Sequence, residues 1–520
     1  MNGRKLVLEY LICTVIIFGL GTAAIYIIDL PIPIYVALIL SAAVSAIVIA
    51  DRIARPEIKE YRRNNALRPK IPKQLLFDTP KSNSVIFGRD IFSDKYVMKD
   101  PTEIQHTLIV GMTGSGKTSA VLIPSLISSI NGSKQILDIK SRELTLKCAD
   151  LESDNTYVVD LNRSDAYCYG WNVFYKLHHD STEHDVLNVL QEIASIILPD
   201  AKSGDQFWTQ AARNLFIGLG IFEYLHCEKR NFVEVIETML SIPLREHLET
   251  ALNTVKKDSL IASFLTAYRD TEDETLMSIQ ITMTQPLYIF MQRDIQYAFK
   301  ANAKKADPTL LNTEGVSMYL CVDENRLDTG YDKLIQIILK QTLSEIQSRE
   351  TAYDGPITNL YWDEFGRCCD SCPDMLKTTA SFLKTARSKR ANLTMAVQSL
   401  DSFDKKLLYD ILANITYLFV LNCSNANSLT AEITVKLAGK YYEKRKSFNS
   451  GKNRNSSTSY EEKDILRAGD LNTLGSEAIL LVSNLGYYRT DKSRTAYYKY
   501  EPFKSKYESI YARNSEIISA

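Results

Sequence analysis

Gly111-Met-Thr-Gly-Ser-Gly-Lys-Thr118 sets three glycines, a lysine and a hydroxyl at the spacing G-x-x-x-x-G-K-[ST], the Walker A phosphate loop. Gly111, Gly114 and Gly116 allow the backbone to curl until its N–H groups face an anion. The cradle therefore comprises Gly111, Met112, Thr113, Gly114, Ser115, Gly116, Lys117 and Thr118. Lys117 has the reach for β- and γ-phosphates, and the Thr118 hydroxyl is a hard oxygen ligand for Mg²⁺. A second stretch, Thr358-Asn-Leu-Tyr-Trp-Asp-Glu-Phe365, is a mostly apolar run ending in two carboxylates, the form of a Walker B strand. Asp363 is the expected Mg²⁺ partner, and Glu364 the base that orients and deprotonates an attacking water. Gln398, at the tip of a further strand, is placed to sense a γ-phosphate. Arg387 and Arg390 lie between these features. Each is either an arginine finger for a neighbouring subunit's phosphates or one end of a solvated basic helix. Cys368, Cys369 and Cys372 include a C-x-x-C, but a structural zinc wants four ligands and no fourth is nearby, which leaves plain thiols as the simpler reading.

These side chains need elements to hold them. Residues 107–110 form a short apolar strand before the phosphate loop, and 119–127 read as the helix after it. Further strands are expected at 84–88, 95–98, 135–138, 156–160, 319–323, 358–364, 392–398, 415–421, 478–483 and 495–500. Strands alternating with helices predict a parallel sheet covered by helices, with ligand at the carboxyl ends of the strands. From about 180 the texture changes to 3.6-residue apolar spacing, which predicts an insertion of at least five helices. Residues 446–460, rich in Ser, Asn, Lys and Arg, read as a mobile basic loop.

The chain has 520 residues, 45% hydrophobic and 24% charged, with a net charge of −1. No global basic field exists, so any nucleic-acid contact must be local. Nine cysteines without a framework fit a reducing compartment. At the amino end, residues 6–28 and 34–50 are apolar runs long enough to cross a bilayer, joined by Asp29-Leu-Pro-Ile-Pro33. The first is too long for a secretory signal. Arg4 and Lys5 precede the first run, and Arg52, Arg55, Lys59, Arg62 and Arg63 follow the second. That distribution predicts a hairpin with both termini cytoplasmic. The second basic cluster suits anionic lipid, or DNA.

Several stretches, taken in order, resemble one family. Two spans precede a Walker A that opens into Val-Leu-Ile-Pro-Ser-Leu. Asp138-x-Lys140 follows the next strand, and Phe207-Trp-Thr-Gln-Ala-Ala-Arg-Asn-Leu215 opens the helical insert. Asp363-Glu-Phe365, Ala396-Val-Gln-Ser-Leu400, Asp464-Ile-Leu-Arg-Ala-Gly-Asp-Leu471 and Glu477-Ala-Ile-Leu-Leu-Val482 complete the set. The chain resembles the type IV secretion coupling proteins, the TraG/TraD group of conjugation ATPases. The resemblance implies a RecA-like P-loop ATPase domain with an inserted all-α domain, preceded by the transmembrane hairpin. It implies ATP and Mg²⁺ as ligands and a homo-hexamer in the bacterial inner membrane. Implied partners are relaxase-bound single-stranded DNA, the relaxase, and type IV secretion channel proteins. The expected layout is 1–50 hairpin, 51–80 basic connector, 81–180 first nucleotide-binding part, 181–318 insert, 319–505 second part and 506–520 ragged tail. An FtsK-type DNA translocase, or a coupling ATPase dedicated to protein cargo, is the alternative. Two departures from the family stand out: a very short turn between the spans, and Gly366-Arg-Cys after the Walker B.

Overall fold

The computed structural model describes residues 67–520, except 130–132, 201–205, 301–303, 371–372, 424, 426, 449–455 and 520. Of the first 66 residues it describes only Val36 and Ala43. The chain divides into two units, Met1–Ile71 and Pro72–Ala520. The expected hairpin and most of the connector lie outside the described residues. No described helix is long and apolar enough to cross a membrane.

The strands, in chain order, are β1 (Leu76–Phe77), β2 (Ile86–Arg89), β3 (Tyr96–Met98), β4 (His106–Val110), β5 (Ser133–Asp138), β6 (Thr156–Asp160), β7 (Gly170–Trp171), β8 (Lys305–Ala306), β9 (Ser317–Cys321), β10 (Thr358–Trp362), β11 (Ala391–Val397), β12 (Ile415–Val420), β13 (Lys440–Phe448), β14 (Ser456–Asp464), β15 (Glu477–Val482) and β16 (Gly486–Asp491). Twelve of them form one mixed sheet in the order β1-β3-β2-β16-β15-β12-β4-β11-β10-β5-β9-β6. The seven from β12 to β6 are parallel, as expected. The remaining five extend the sheet antiparallel beyond β12. Every residue of β4, β5, β9, β10 and β11 is buried. Helices cover both faces of such a sheet, which is why these strands bury every residue and show no in–out alternation.

Seven α-helices, from Glu183–Ile197 to Arg293–Phe299, lie between β7 and β8 among the described residues. Their axis is Gln206–Leu225, whose buried Ala211, Ala212, Leu215, Phe216, Leu219 and Phe222 recur at helical spacing. Two glycines sit inside this helix at a cost of about 1 kcal/mol each relative to alanine. A Cβ on Gly218 would lie 2.5 Å from Leu265 Cδ2, and one on Gly220 would lie 2.6 Å from Leu190 Cδ1. Both glycines exist for close helix packing. The apolar core of these helices is continuous with that of the sheet.

The structure corrects four expectations. The segment 506–520 is no ragged tail, because Phe503–Ser519 is a helix. Its buried Asn514 donates to the carbonyls of Leu146 (3.0 Å) and Ala149 (2.8 Å), at the end of the helix Glu143–Cys148. Those orphan carbonyls need donors, and a remote side chain supplies them. The basic stretch 446–460 enters an antiparallel pair, β13 with β14, on either side of the undescribed 449–455. The closing strand is Gly486–Asp491, while 492–495 forms a 3₁₀ turn. The connector 51–80 already contains β1, which pairs with β3.

Candidate active site

Because β4, β5, β10 and β11 are parallel neighbours, their carboxyl ends meet at one edge of the sheet. That edge collects the phosphate loop after β4, the Asp138–Lys140 turn after β5, Asp363 and Glu364 after β10, and Gln398 after β11. The loop is tied down by its own backbone. Gly111 N–H donates to Val397 O (3.1 Å), and Met112 N–H donates to Asn422 O (3.0 Å). Gly114 (φ +77°) and Gly116 (φ +98°) take left-handed conformations that a Cβ disfavours. The chain then enters a wide π-type turn, Lys117–Leu122, which continues as the helix Ile123–Ser128.

Thr118 Oγ1 donates to Asp363 Oδ2 at 3.0 Å. The hydroxyl and carboxylate chosen for Mg²⁺ are therefore together, and an all-oxygen pair suits that ion. Among the described residues no group of three or more His, Cys, Asp or Glu side chains could hold a metal by itself. Magnesium sites that rely on one carboxylate plus substrate phosphates look like this. Glu364 is 2% exposed and adopts φ +48°, a strained conformation of the kind found at functional sites. Its N–H donates to Asp363 Oδ1 (3.0 Å).

Four charges are packed here. Lys117 Nζ donates to Gly111 O at 2.7 Å and lies 3.5 Å from Glu364 Oε1. Lys140 Nζ is 3.0 Å from the same oxygen and 3.6 Å from Asp363 Oδ2. Burial pushes the Asp363 carboxyl up, opposed mainly by the Lys140 ammonium. Burial also works to raise Glu364, but Lys117, Lys140 and a hydrogen bond from Gln398 outweigh it and hold the carboxyl below its ordinary range. Lys117 is lowered by burial, with Glu364 and Asp363 opposing.

Lys117, Thr118, Asp363, Glu364 and Gln398 are thus gathered in one place. Arg387 and Arg390 are not. Arg390 precedes β11, and its carbonyl accepts the Thr358 N–H at the start of β10. Both arginines are exposed at the amino ends of strands whose carboxyl ends carry the site, roughly 20 Å away at ~3.3 Å per residue. They cannot serve their own chain's phosphate loop. Of the cysteine cluster, Cys372 lies outside the described residues, and Cys368 and Cys369 fall in the short helix Phe365–Asp370.

Sequence reasoning left two lysines out of the site. Lys140 stood in the Asp138-x-Lys140 pattern, and its place two residues past a strand tip was the available signal. Lys492 had none. It is buried beside the phosphate loop, its Cε 3.9 Å from where a Gly116 Cβ would lie. Its Nζ donates to the carbonyls of Gly475 (2.9 Å) and Glu477 (3.0 Å). Thr495 Oγ1 donates to Ala120 O (2.8 Å), and Tyr497 N–H donates to Ser119 O (3.1 Å). The segment 492–497 thereby grips the turn that follows the phosphate loop.

No curated protein matches the chain. Among solved structures it is similar to the unbound bacterial conjugative coupling protein TrwBdeltaN70, at 13% identity and TM-score 0.57, covering 78% of this chain and 88% of that one. It is also similar to the plasmid coupling protein TrwB in complex with the ATP analogue ADPNP, at 15% identity and TM-score 0.54, with 74% and 84% covered. A third similar structure is TrwB with ADP and Mg²⁺, at 14% identity and TM-score 0.52, with 74% and 84% covered. These likenesses give the fold, a RecA-like α/β sheet with helices. The model for type IV secretory system conjugative DNA transfer matches residues 63–518, nearly the whole described body, and the chain belongs to that family.

Proposed function

We propose that the chain is a membrane-anchored ATPase that brings relaxase-bound single-stranded DNA, or a protein substrate, to a type IV secretion channel and drives its transfer. The observation that carries this reading is the convergence of Lys117, Thr118, Asp363, Glu364 and Gln398 in a member of a conjugative DNA transfer family. The TrwB structures that hold an ATP analogue or ADP with Mg²⁺ add support. The phosphate loop's N–H groups and Lys117 take the β- and γ-phosphates of ATP. Mg²⁺, held by Thr118 and Asp363, would neutralise charge on the phosphate oxygens. Glu364 orients a water and takes its proton, and Gln398 holds the Glu364 carboxylate from the neighbouring strand.

Residues 6–28 and 34–50 anchor the chain in the bacterial inner membrane, with both termini and the ATPase body cytoplasmic. The helices of 181–318 face cargo. The working form is a homo-hexamer, in which Arg387 or Arg390 reaches the phosphates bound by an adjacent copy. If both alanine variants hydrolyse ATP at the wild-type rate in the assembled state, neither arginine is the finger.

The experiment is ATP hydrolysis by the full chain in detergent, with and without single- or double-stranded DNA, over a range of protein concentration. Lys117→Ala should remove turnover. Glu364→Gln should lower kcat at least ~100-fold while ATP stays bound. Turnover that rises with DNA supports DNA as the cargo. Turnover indifferent to DNA moves the reading to protein cargo. Wild-type turnover in Glu364→Gln removes that residue from the mechanism.

A further inference from the structure

Lys117 and Lys140 approach the same oxygen, Glu364 Oε1, at 3.5 and 3.0 Å. Only Lys117 belongs to the phosphate loop. To reach a β- or γ-phosphate, its ammonium has to leave Glu364. That would set a buried carboxylate beside phosphate anions, an arrangement that low-dielectric surroundings make costly unless a cation stays behind. Among the described residues, Lys140 is the one other cation paired with Glu364.

The loop that carries Lys140 is built to hold it there. Ser141 (φ +50°) and Arg142 (φ +69°) are consecutive non-glycine residues in the left-handed region. Such strain persists only where the surroundings enforce it. Arg142 is 3% exposed, with its guanidinium on Asp160, Tyr167 and Asp165 (2.6 Å to the last). Ser141 Oγ donates to Asp323 Oδ1 at 2.7 Å. Asp138 accepts the Thr145 N–H (2.8 Å) and hydroxyl (2.9 Å), closing the base of the loop. Three strands, β5, β6 and β9, therefore fix one lysine over the end of a fourth, β10.

We propose that Lys140 is a positioning residue that retains Glu364 while Lys117 transfers from Glu364 to the phosphates of ATP. This rests on the ATPase reading above. Lys140 acts through Glu364 and makes no bond to the nucleotide. With Lys140 gone, Lys117 is the sole cation on Glu364 and resists transfer, so ATP binds less well. With Glu364 neutralised, the ion pair that holds Lys117 back is gone, and Lys140 keeps only its 3.6 Å contact with Asp363.

The test is the equilibrium affinity of the full chain for a fluorescent, non-hydrolysable ATP analogue with Mg²⁺. It compares wild type, Lys140→Met, Lys140→Arg, Glu364→Gln and the Lys140→Met/Glu364→Gln double variant. Lys140→Met should bind about tenfold more weakly, the scale of one lost charged hydrogen bond. Lys140→Arg should stay within about threefold of wild type, because it keeps the cation. The double variant should lose far less against Glu364→Gln than Lys140→Met loses against wild type, the remainder coming from the 3.6 Å contact of Lys140 with Asp363. An equal loss from Lys140→Met in both backgrounds would overturn the proposal and place the effect of Lys140 on Asp363 or on the phosphates instead. Wild-type affinity in Lys140→Met would overturn it outright. Lys140→Gln serves the same comparison if the methionine variant does not fold. Failure of the ATPase reading is separately visible, as wild-type protein without turnover or as turnover that Lys117→Ala leaves in place.

Discussion

His106 begins β4, the strand that leads to the phosphate loop, and its ring is 4% exposed. Its Nδ1 accepts the Leu393 N–H from β11 at 3.1 Å, which requires a neutral imidazole. Burial, aided by the Lys99 ammonium, pushes its pKa down to about 4 from an ordinary 6.5. Between those values the unfolded chain binds a proton that the folded one refuses. The part of the stability that His106 contributes is therefore complete above pH 6.5, falls as the pH drops toward 4, and levels off below. The full loss is about 3 kcal/mol. Thermal melting across this window should fall less steeply in His106→Gln, which keeps an acceptor but cannot charge. Parallel pH profiles for the two proteins would rule the histidine out.

Elements differ in how much of themselves they print into the sequence. The Walker strands were legible because glycine spacing and a carboxylate pair are chemical signals tied to strand ends. Their meeting also followed, since parallel neighbours share a carboxyl edge. The antiparallel flank was legible only in part: the expected strands at 84–88, 95–98 and 478–483 fall on β2, β3 and β15, while β1 and β16 were missed. Gly486-Tyr-Tyr-Arg-Thr-Asp491 and Thr495-Ala-Tyr-Tyr-Lys-Tyr500 are alike in composition, and only pairing with Glu477–Val482 selects the first as a strand. The polar pair β13 and β14 lacks an apolar face to declare itself. Phe503–Ser519 hides for another reason, since much of its anchoring comes from Asn514, a polar side chain capping a helix far away in sequence. Asn514→Ala should cost about 1–2 kcal/mol in urea unfolding. Gly218→Val, which drives a side chain into Leu265, should cost about 1–3 kcal/mol or more. The helices of the insert should loosen first, as read by amide hydrogen exchange.

For the whole molecule, charge sets the terms of any DNA binding. Lysines and arginines number 61 against 62 aspartates and glutamates, so no long-range field draws DNA in. DNA stimulation of turnover, where present, must come from a local patch. Its salt dependence should be shallow, with a log–log slope of about −0.7 per contacted phosphate of a single strand. A steep slope, equivalent to ten or more phosphates, would contradict a local contact. The same molecule-wide view bears on β4. It lies between β11 and β12, with Thr107 opposite Thr394 on one side and Tyr417 on the other. On the ribosome, the phosphate loop's strand emerges early, while both its partners are still to be made. Through most of synthesis His106–Val110 is an apolar strand with two open edges, the kind of segment that chaperones cover and that aggregates when they do not. The site can close only after the chain has been made past residue 420, so a nascent protein stalled before that point should neither bind ATP nor stay soluble by itself.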